Sequence, residues 1–264
     1  MTPQATYDDD LRLAHAIADQ VDALTMSRFR ALDLRVETKP DHTPVSDADT
    51  AAEDLVRGVL ARSRGRDAFL GEETGASGHA ARQWVLDPID GTKNFVRGVP
   101  VWATLLALLV DGEPVVGLVS APALQRRWWA ARGTGAWTGR SLSAATRLHV
   151  SGVGDLADAS FSYSSLTGWQ DIDRLTGLLT ISEAVWRTRA FGDFWSYMLV
   201  AEGAVDAAAE PELSLHDMAA LVPIVTEAGG RFTSLAGVDG PHGGNALATN
   251  GLLHEAFLEH LGTD

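Results

Sequence analysis

Cysteine is absent from all 264 residues. That excludes disulfides, thiolate nucleophiles and sulfur-ligated zinc together. Long apolar runs are missing as well. The longest, residues 99–110, is too short to span a bilayer and is broken by Pro100 and Thr104. Residues 1–10 are polar and acidic with no apolar centre, so no signal peptide is read there. Positive charge is scarce: 21 Lys and Arg face 35 Asp and Glu, a net charge of −14. A field of that sign repels a nucleic-acid backbone. The expectation is a cytoplasmic chain with neither a membrane nor a nucleic-acid partner. Serine-hydrolase G-x-S-x-G and metalloprotease H-E-x-x-H patterns are also lacking. His15, His42, His79, His149, His242, His254 and His260 therefore read as surface or core histidines.

What is present is an ordinary globular composition, 45% apolar and 21% charged. Apolar spacing predicts a helix over residues 8–30, with Leu11, Ala14, Ile17, Ala18, Val21, Leu24 and Phe29 on one face. A short strand at 34–37, a loop over 39–45 and a helix from Asp47 or Asp49 to about residue 62 follow. Strands are expected to end at Leu70 and Leu86. Residues 101–110 and 114–120 read as a hairpin around Asp111-Gly112, and 126–131 with 135–138 as another around Gly133. The remainder alternates. Strands fall near 159–163, 185–190, 205–209, 231–235 and 246–249, with helices near 171–182, 194–203, 215–228 and 251–261. Such alternation argues an α/β layered half. The expected division is an N-terminal α+β half, 1–145, with most metal ligands, and a C-terminal α/β half, 146–264, with Asp217 and the specificity residues.

The chemistry concentrates in residues 84–95, W-V-L-D-P-I-D-G-T-K-N-F. Asp87 and Asp90 flank a stiff proline. Glu72-Glu73 lies upstream after Gly71, and Asp217 lies far downstream. Mg²⁺ and similar hard cations take oxygen ligands of this kind. Pro88 stiffens the turn, and the Ile89 carbonyl becomes available as a neutral ligand. Gly91 lets a phosphate oxygen approach the backbone. Thr92 to Asn94 start a helical turn whose free N–H groups suit an anion. Each piece also has a plainer reading. Asp-Pro and Asp-Gly form turns, Glu72-Glu73 can be a solvated loop, and Asp217 can be a first-turn acid that complements a helix dipole.

Taken together, these residues, with G-E-E at 71–73, D-M-A-A at 217–220 and E-A-G-G at 227–230, resemble the inositol monophosphatase family over nearly the whole chain. The resemblance implies a layered αβαβα sandwich, a homodimer, and two to three Mg²⁺ per active site. It implies that Glu72, Asp87 and the Ile89 carbonyl hold one metal, that Asp87, Asp90 and Asp217 hold a second, and that a third shares Glu72. Thr92 and Asp49 would orient the attacking water, with Asp47 a rival for Asp49. Glu73 would support the metal shell, and the Gly91 and Thr92 N–H groups would hold the phosphate. His216 stands where such proteins commonly carry Trp; it reads as a packing variant.

Within that family, residues 94–102, 121–129, 189–194 and 209–212 are most similar to histidinol-phosphatases of high-GC Gram-positive bacteria. That implies hydrolysis of a small phosphate ester, L-histidinol phosphate, by in-line attack of an activated water. Asp193 and Glu210 would contact its cationic groups. Their plainer readings are a helix N-cap for Asp193 and a strand-end surface acid for Glu210. Trp128-Trp129 read as packing, and 164–169 as a surface loop. Inositol 1-phosphate, sugar phosphates and nucleotide bisphosphates are alternative substrates. An aspartyl-nucleophile phosphatase of the haloacid-dehalogenase type is disfavoured, because Asp87 and Asp90 are three apart rather than two. A non-catalytic metal-binding or RNA-associated regulator is the alternative from another class.

Overall fold

The structure, a computed structural model, describes residues 6–40 and 43–262. The readings made for residues 1–5 and for His42 lie outside them. The chain opens with α1 (Asp8–Arg28), the hairpin β1 (Val36–Thr38) and β2 (Pro44–Ser46), and α2 (Asp47–Ser63). Next come β3 (Ala68–Gly71), β4 (Gly75–Ser77), β5 (Arg82–Asp90) and the short helix α3 (Thr92–Arg97). A meander follows: β6 (Ala103–Val110), β7 (Glu113–Ala121), β8 (Arg126–Ala131), β9 (Ala136–Ser141) and β10 (Ala144–Arg147). The alternating part holds β11 (Ser160–Tyr163), α4 (Leu166–Asp171), α5 (Leu175–Ala184), β12 (Arg187–Arg189), α6 (Asp193–Ala201) and β13 (Ala207–Glu210). It closes with α7 (Leu215–Met218), α8 (Leu221–Glu227), β14 (Arg231–Thr233), β15 (Ala246–Thr249) and α9 (His254–Leu261).

Two sheets organise these elements. Eight strands run in the order β10-β9-β8-β7-β6-β5-β3-β4, and five in the order β12-β11-β13-β15-β14. In the larger sheet β3 and β5 are parallel, whereas the β5 to β10 meander is antiparallel throughout. Side chains alternate across β6, and both faces are apolar. Leu106 and Leu108 pack with Trp84 and Leu86 against Ile17, Val21 and Val56 of α1 and α2. Ala103, Leu105, Ala107 and Leu109 face the other way, onto Phe194, Tyr197 and Met198 of α6 and Leu221, Ile224 and Val225 of α8. The period-2 alternation of a strand thus serves two helical layers at once. Ala208, Ala246 and Ala248 close the same middle layer from the smaller sheet. On that sheet's far side Phe161 and Leu247 meet Leu178, Ile181, Phe257 and Leu261 of α5 and α9. The layers are therefore α, β, α, β, α, as expected.

Gly117 on β7 permits a close approach between layers. A Cβ there would collide with the Ala220 carbonyl and with Pro223. The expected helix 215–228 divides into α7 and α8 because Pro223 has no N–H to give to the carbonyl four residues back. The loop expected at 39–45 contributes β2, and the surface loop at 164–169 instead enters α4, where Trp169 is fully buried. Strands β4 and β10 were not expected; both are short edge strands with mostly exposed residues and no apolar alternation to reveal them. Trp128 and Trp129 pack in the core. Among the described residues no helix is long and apolar enough to cross a membrane.

Candidate metal centre

Strand β5 delivers the central pair. It extends past its expected end at Leu86: Asp87 pairs with Leu105 and Asp90 with Ala103, with a register break between them. Pro88 cannot donate to the ladder, so the break falls there. The Thr104 hydroxyl donates to the Pro88 carbonyl at 2.8 Å and pins the turn. Gly91 then takes φ 84° and caps α3. That left-handed backbone favours glycine, and a Cβ would stand 3.0 Å from the Val101 carbonyl oxygen.

Asp217 arrives from the other sheet's side, in the first turn of α7. Each of these three carboxylates accepts one backbone N–H. Ile89 donates to Asp87 Oδ1 at 3.0 Å, Phe194 to Asp90 Oδ2 at 2.7 Å, and Ser214 to Asp217 Oδ2 at 2.6 Å. One oxygen from each carboxylate lies within 4.8 Å of the other two. At an effective dielectric of about 20, two charges about 4 Å apart repel by roughly 4 kcal/mol. Burial pushes Asp87 well above the usual carboxylate range, and Glu72, Asp90 and Asp217 push it further. Burial does the same to Asp90, reinforced by Asp193 and Asp217 and opposed by the Phe194 N–H. Asp217 is raised by burial too, although His216 and the Ser214 N–H oppose the shift. Three oxygen donors under that strain are chemically matched to a hard divalent cation.

The trio lines a cavity of about 660 Å³, whose walls also carry Glu72, Ile89, Gly91, Thr92 and Asp193. Asp49, Glu73 and Glu210 stand behind those walls. Glu72 is close enough to act on Asp87 but is not part of the tight trio. Instead, Lys39 Nζ stands 2.7 Å from Glu72 Oε1 and 2.7 Å from Glu73 Oε1. Burial works against the Lys39 charge, yet the two glutamates hold its pKa above the ordinary value. Glu73 is pushed up by burial to about 7, with Lys39 opposing.

The Thr92 hydroxyl donates to the Ile89 carbonyl at 2.9 Å and lies 3.4 Å from Asp49 Oδ1. Asp49 itself is buried, and its Oδ2 accepts from the Ser46 N–H and hydroxyl at 2.8 and 2.6 Å. Burial lifts its pKa to about 6. Asp47, the rival, pairs with Arg28 at 2.8 Å.

Two plainer readings fail. Asp193 is not the N-cap of α6; Gly192 is, and the Asp193 carboxylate turns back to accept from Asn94 Nδ2 at 3.0 Å. Glu210 is not a surface acid, because its Oε1 is shut off from solvent. Burial raises Glu210 to about 8, with Asp193 adding to the shift. Tyr197 is near enough to act on the Glu210 charge, but neither its hydroxyl nor Glu210 Oε1 meets hydrogen-bond geometry with any partner among the described residues. His216 lines the cavity with Nε2 3.6 Å from Asp217 Oδ1. Lys39, Asn94 and the Phe194 N–H were missed at the sequence level, since their partners are distant in the chain.

Comparison with known proteins identifies the family. The model of the inositol monophosphatase family matches residues 7–263. The histidinol-phosphatase of Streptomyces coelicolor is 66% identical, with 97% of each chain covered. That of Mycobacterium tuberculosis is 61% identical over 96% of this chain and 98% of its own. An inositol monophosphatase structure from Zymomonas mobilis superposes with a TM-score of 0.86 at 32% identity, covering 98% of this chain and 99% of that one. Fold and sequence converge: the chain belongs to the inositol monophosphatase family.

Proposed function

We propose that this protein is a Mg²⁺-dependent phosphatase whose substrate is L-histidinol phosphate. The observation that carries the first part is the trio Asp87, Asp90 and Asp217, gathered within 4.8 Å on a cavity wall. Near identity in length and high identity in sequence to the two histidinol-phosphatases support the substrate. Two to three Mg²⁺ are assigned, one to Glu72, Asp87 and the Ile89 carbonyl, one to the trio, and a third sharing Glu72. Bound Mg²⁺ supplies charge stabilisation for the phosphoryl group and makes water a stronger nucleophile.

The protein's own groups then have distinct tasks. Gly91 and Thr92 offer backbone N–H groups to the phosphate oxygens. The Thr92 hydroxyl orients the attacking water, and Asp49, ionised above a pKa of about 6, accepts through it. Glu73 backs Glu72. Attack is in line, with no phosphoenzyme. Residues 1–145 supply most of the metal ligands, while 146–264 supply Asp217 and the specificity residues. Histidinol phosphate carries an ammonium and an imidazole, and Asp193 and Glu210 are acids placed to meet them.

The test is phosphate release from L-histidinol phosphate, inositol 1-phosphate and fructose 1,6-bisphosphate, with Mg²⁺ and with EDTA. The expected result is Mg²⁺-dependent release with the highest kcat/KM on histidinol phosphate. Equal kcat/KM on all three esters would remove the substrate assignment, and absence of Mg²⁺-dependent release would remove the phosphatase.

A further inference from the structure

One buried charge close to the cavity has no part in that scheme. Glu53 on α2 is 0% exposed and lies one helical turn after Asp49. Its Oε2 accepts the Glu73 N–H at 2.8 Å. Its Oε1 accepts the Thr74 N–H at 3.1 Å and the Thr74 hydroxyl. Arg57, one turn further along, reaches the same oxygen at 3.2 Å and also donates to Thr74. Burying a carboxylate costs several kcal/mol unless it is paired and hydrogen-bonded. Glu53 meets both conditions, and its N–H partners are the consecutive residues Glu73 and Thr74, directly after Glu72.

The neighbouring glycine fits the same arrangement. A Cβ at Gly71 would collide with the Glu53 carboxylate, so G-E-E begins with glycine because the chain must pass directly over that group. The Glu72 N–H donates to the Leu86 carbonyl at 3.2 Å, one residue before Asp87. Glu72 is thereby fixed between a β5 carbonyl on one side and the Glu53 anchor on the other.

We propose that Glu53 is the positioning residue that sets where the Glu72 carboxylate stands relative to Asp87, and so tunes metal affinity. This rests on the assignment of Glu72 as a metal ligand. Glu53→Gln keeps the shape and one accepting oxygen, but places an amide donor against one of the two backbone N–H groups the carboxylate received.

The experiment measures Mn²⁺ binding to the full-length protein by the electron paramagnetic resonance signal of free Mn²⁺. The variants are Glu53→Gln, Thr74→Val, Glu72→Gln and, as a charge control on the exposed face of α2, Asp54→Asn. Glu53→Gln is expected to weaken Mn²⁺ binding by about tenfold or more. Thr74→Val, at an exposed position that does not endanger the fold, should weaken it less and in the same direction. Asp54→Asn should bind like the parent protein. At saturating Mn²⁺ the KM for the phosphate ester should not change in Glu53→Gln, which separates positioning of the metal from general damage. Parental binding in both Glu53→Gln and Thr74→Val, with loss in Glu72→Gln, overturns the role of Glu53 and leaves Glu72 a ligand. Should Glu53→Gln fail to fold, parental binding in Thr74→Val alone overturns it. Parental binding in Glu72→Gln overturns the ligand assignment on which the role depends.

Discussion

The acidic trio and Glu72 line one cavity, with Glu73 behind its wall, yet the trio and the Glu72–Glu73 pair handle their repulsion in different ways. The pair has a cation of its own, since Lys39 reaches both carboxylates at 2.7 Å. The trio is held by three backbone N–H groups, which carry only partial charge. Lys39 thus offsets one of the pair's two negative charges without metal, whereas no lysine or arginine pairs with the trio among the described residues. The difference shows which acids are gathered at full electrostatic cost and which have that cost partly offset by a side-chain cation.

The largest effect should come from breaking the trio. Asp90→Asn and Asp217→Ala are each expected to lower kcat about 10³-fold while circular dichroism stays parental. Near-normal turnover in both would erase the distinction. Next in size is the substrate side. Asp193→Asn should cut kcat/KM for L-histidinol phosphate by about 10- to 100-fold, the weight of one charged contact, and leave inositol 1-phosphate nearly unaffected. An equal loss on both esters would move Asp193 from specificity to general architecture.

Removing the pair's own cation tests the comparison from the opposite side. Lys39→Met should lower the Tm of the metal-free protein by a few degrees and enlarge the rise that Mg²⁺ then produces. An unchanged Mg²⁺ response would mean that the ammonium and the metal do not share these oxygens.

The most gradual effect is a slope with pH. Asp49, Glu73 and Glu210 stand at about 6, 7 and 8, above their ordinary values of 3.8, 4.5 and 4.5. A raised acid binds its proton more tightly when folded. Its stabilising contribution is whole below the unfolded value and is lost as pH rises through the folded one. Metal-free protein should therefore melt at progressively lower temperature between about pH 5 and pH 8, and Mg²⁺ should restore it at pH 8. A Tm that climbs over that range would contradict the burial of these groups.

Much of this was readable from local pattern. The apolar spacing of α1 and the double-faced run of β6 announce their layers, and residues 84–95 announce the cavity. Less readable were the features made by contact across the chain. Lys39 lies 33 residues from Glu72, and nothing in its neighbourhood suggests that partner. Asn94 holds Asp193 across 99 residues. The i, i+4 spacing of Asp49 and Glu53 was a usable signal for a shared buried face, but acids on a helix are usually solvated. The division of 215–228 was signalled by Pro223 and outweighed by the apolar periodicity around it.

Gly117 has no reactive chemistry, yet it governs the spacing of the reactive groups. Its missing methyl lets the Ala220 carbonyl rest on β7, three residues beyond Asp217. Any bulk at that point acts as a wedge, prising the α7–α8 segment off the larger sheet and carrying Asp217 outward. The gauge of the acidic trio is thus set by a hydrogen atom on a strand that carries none of its members.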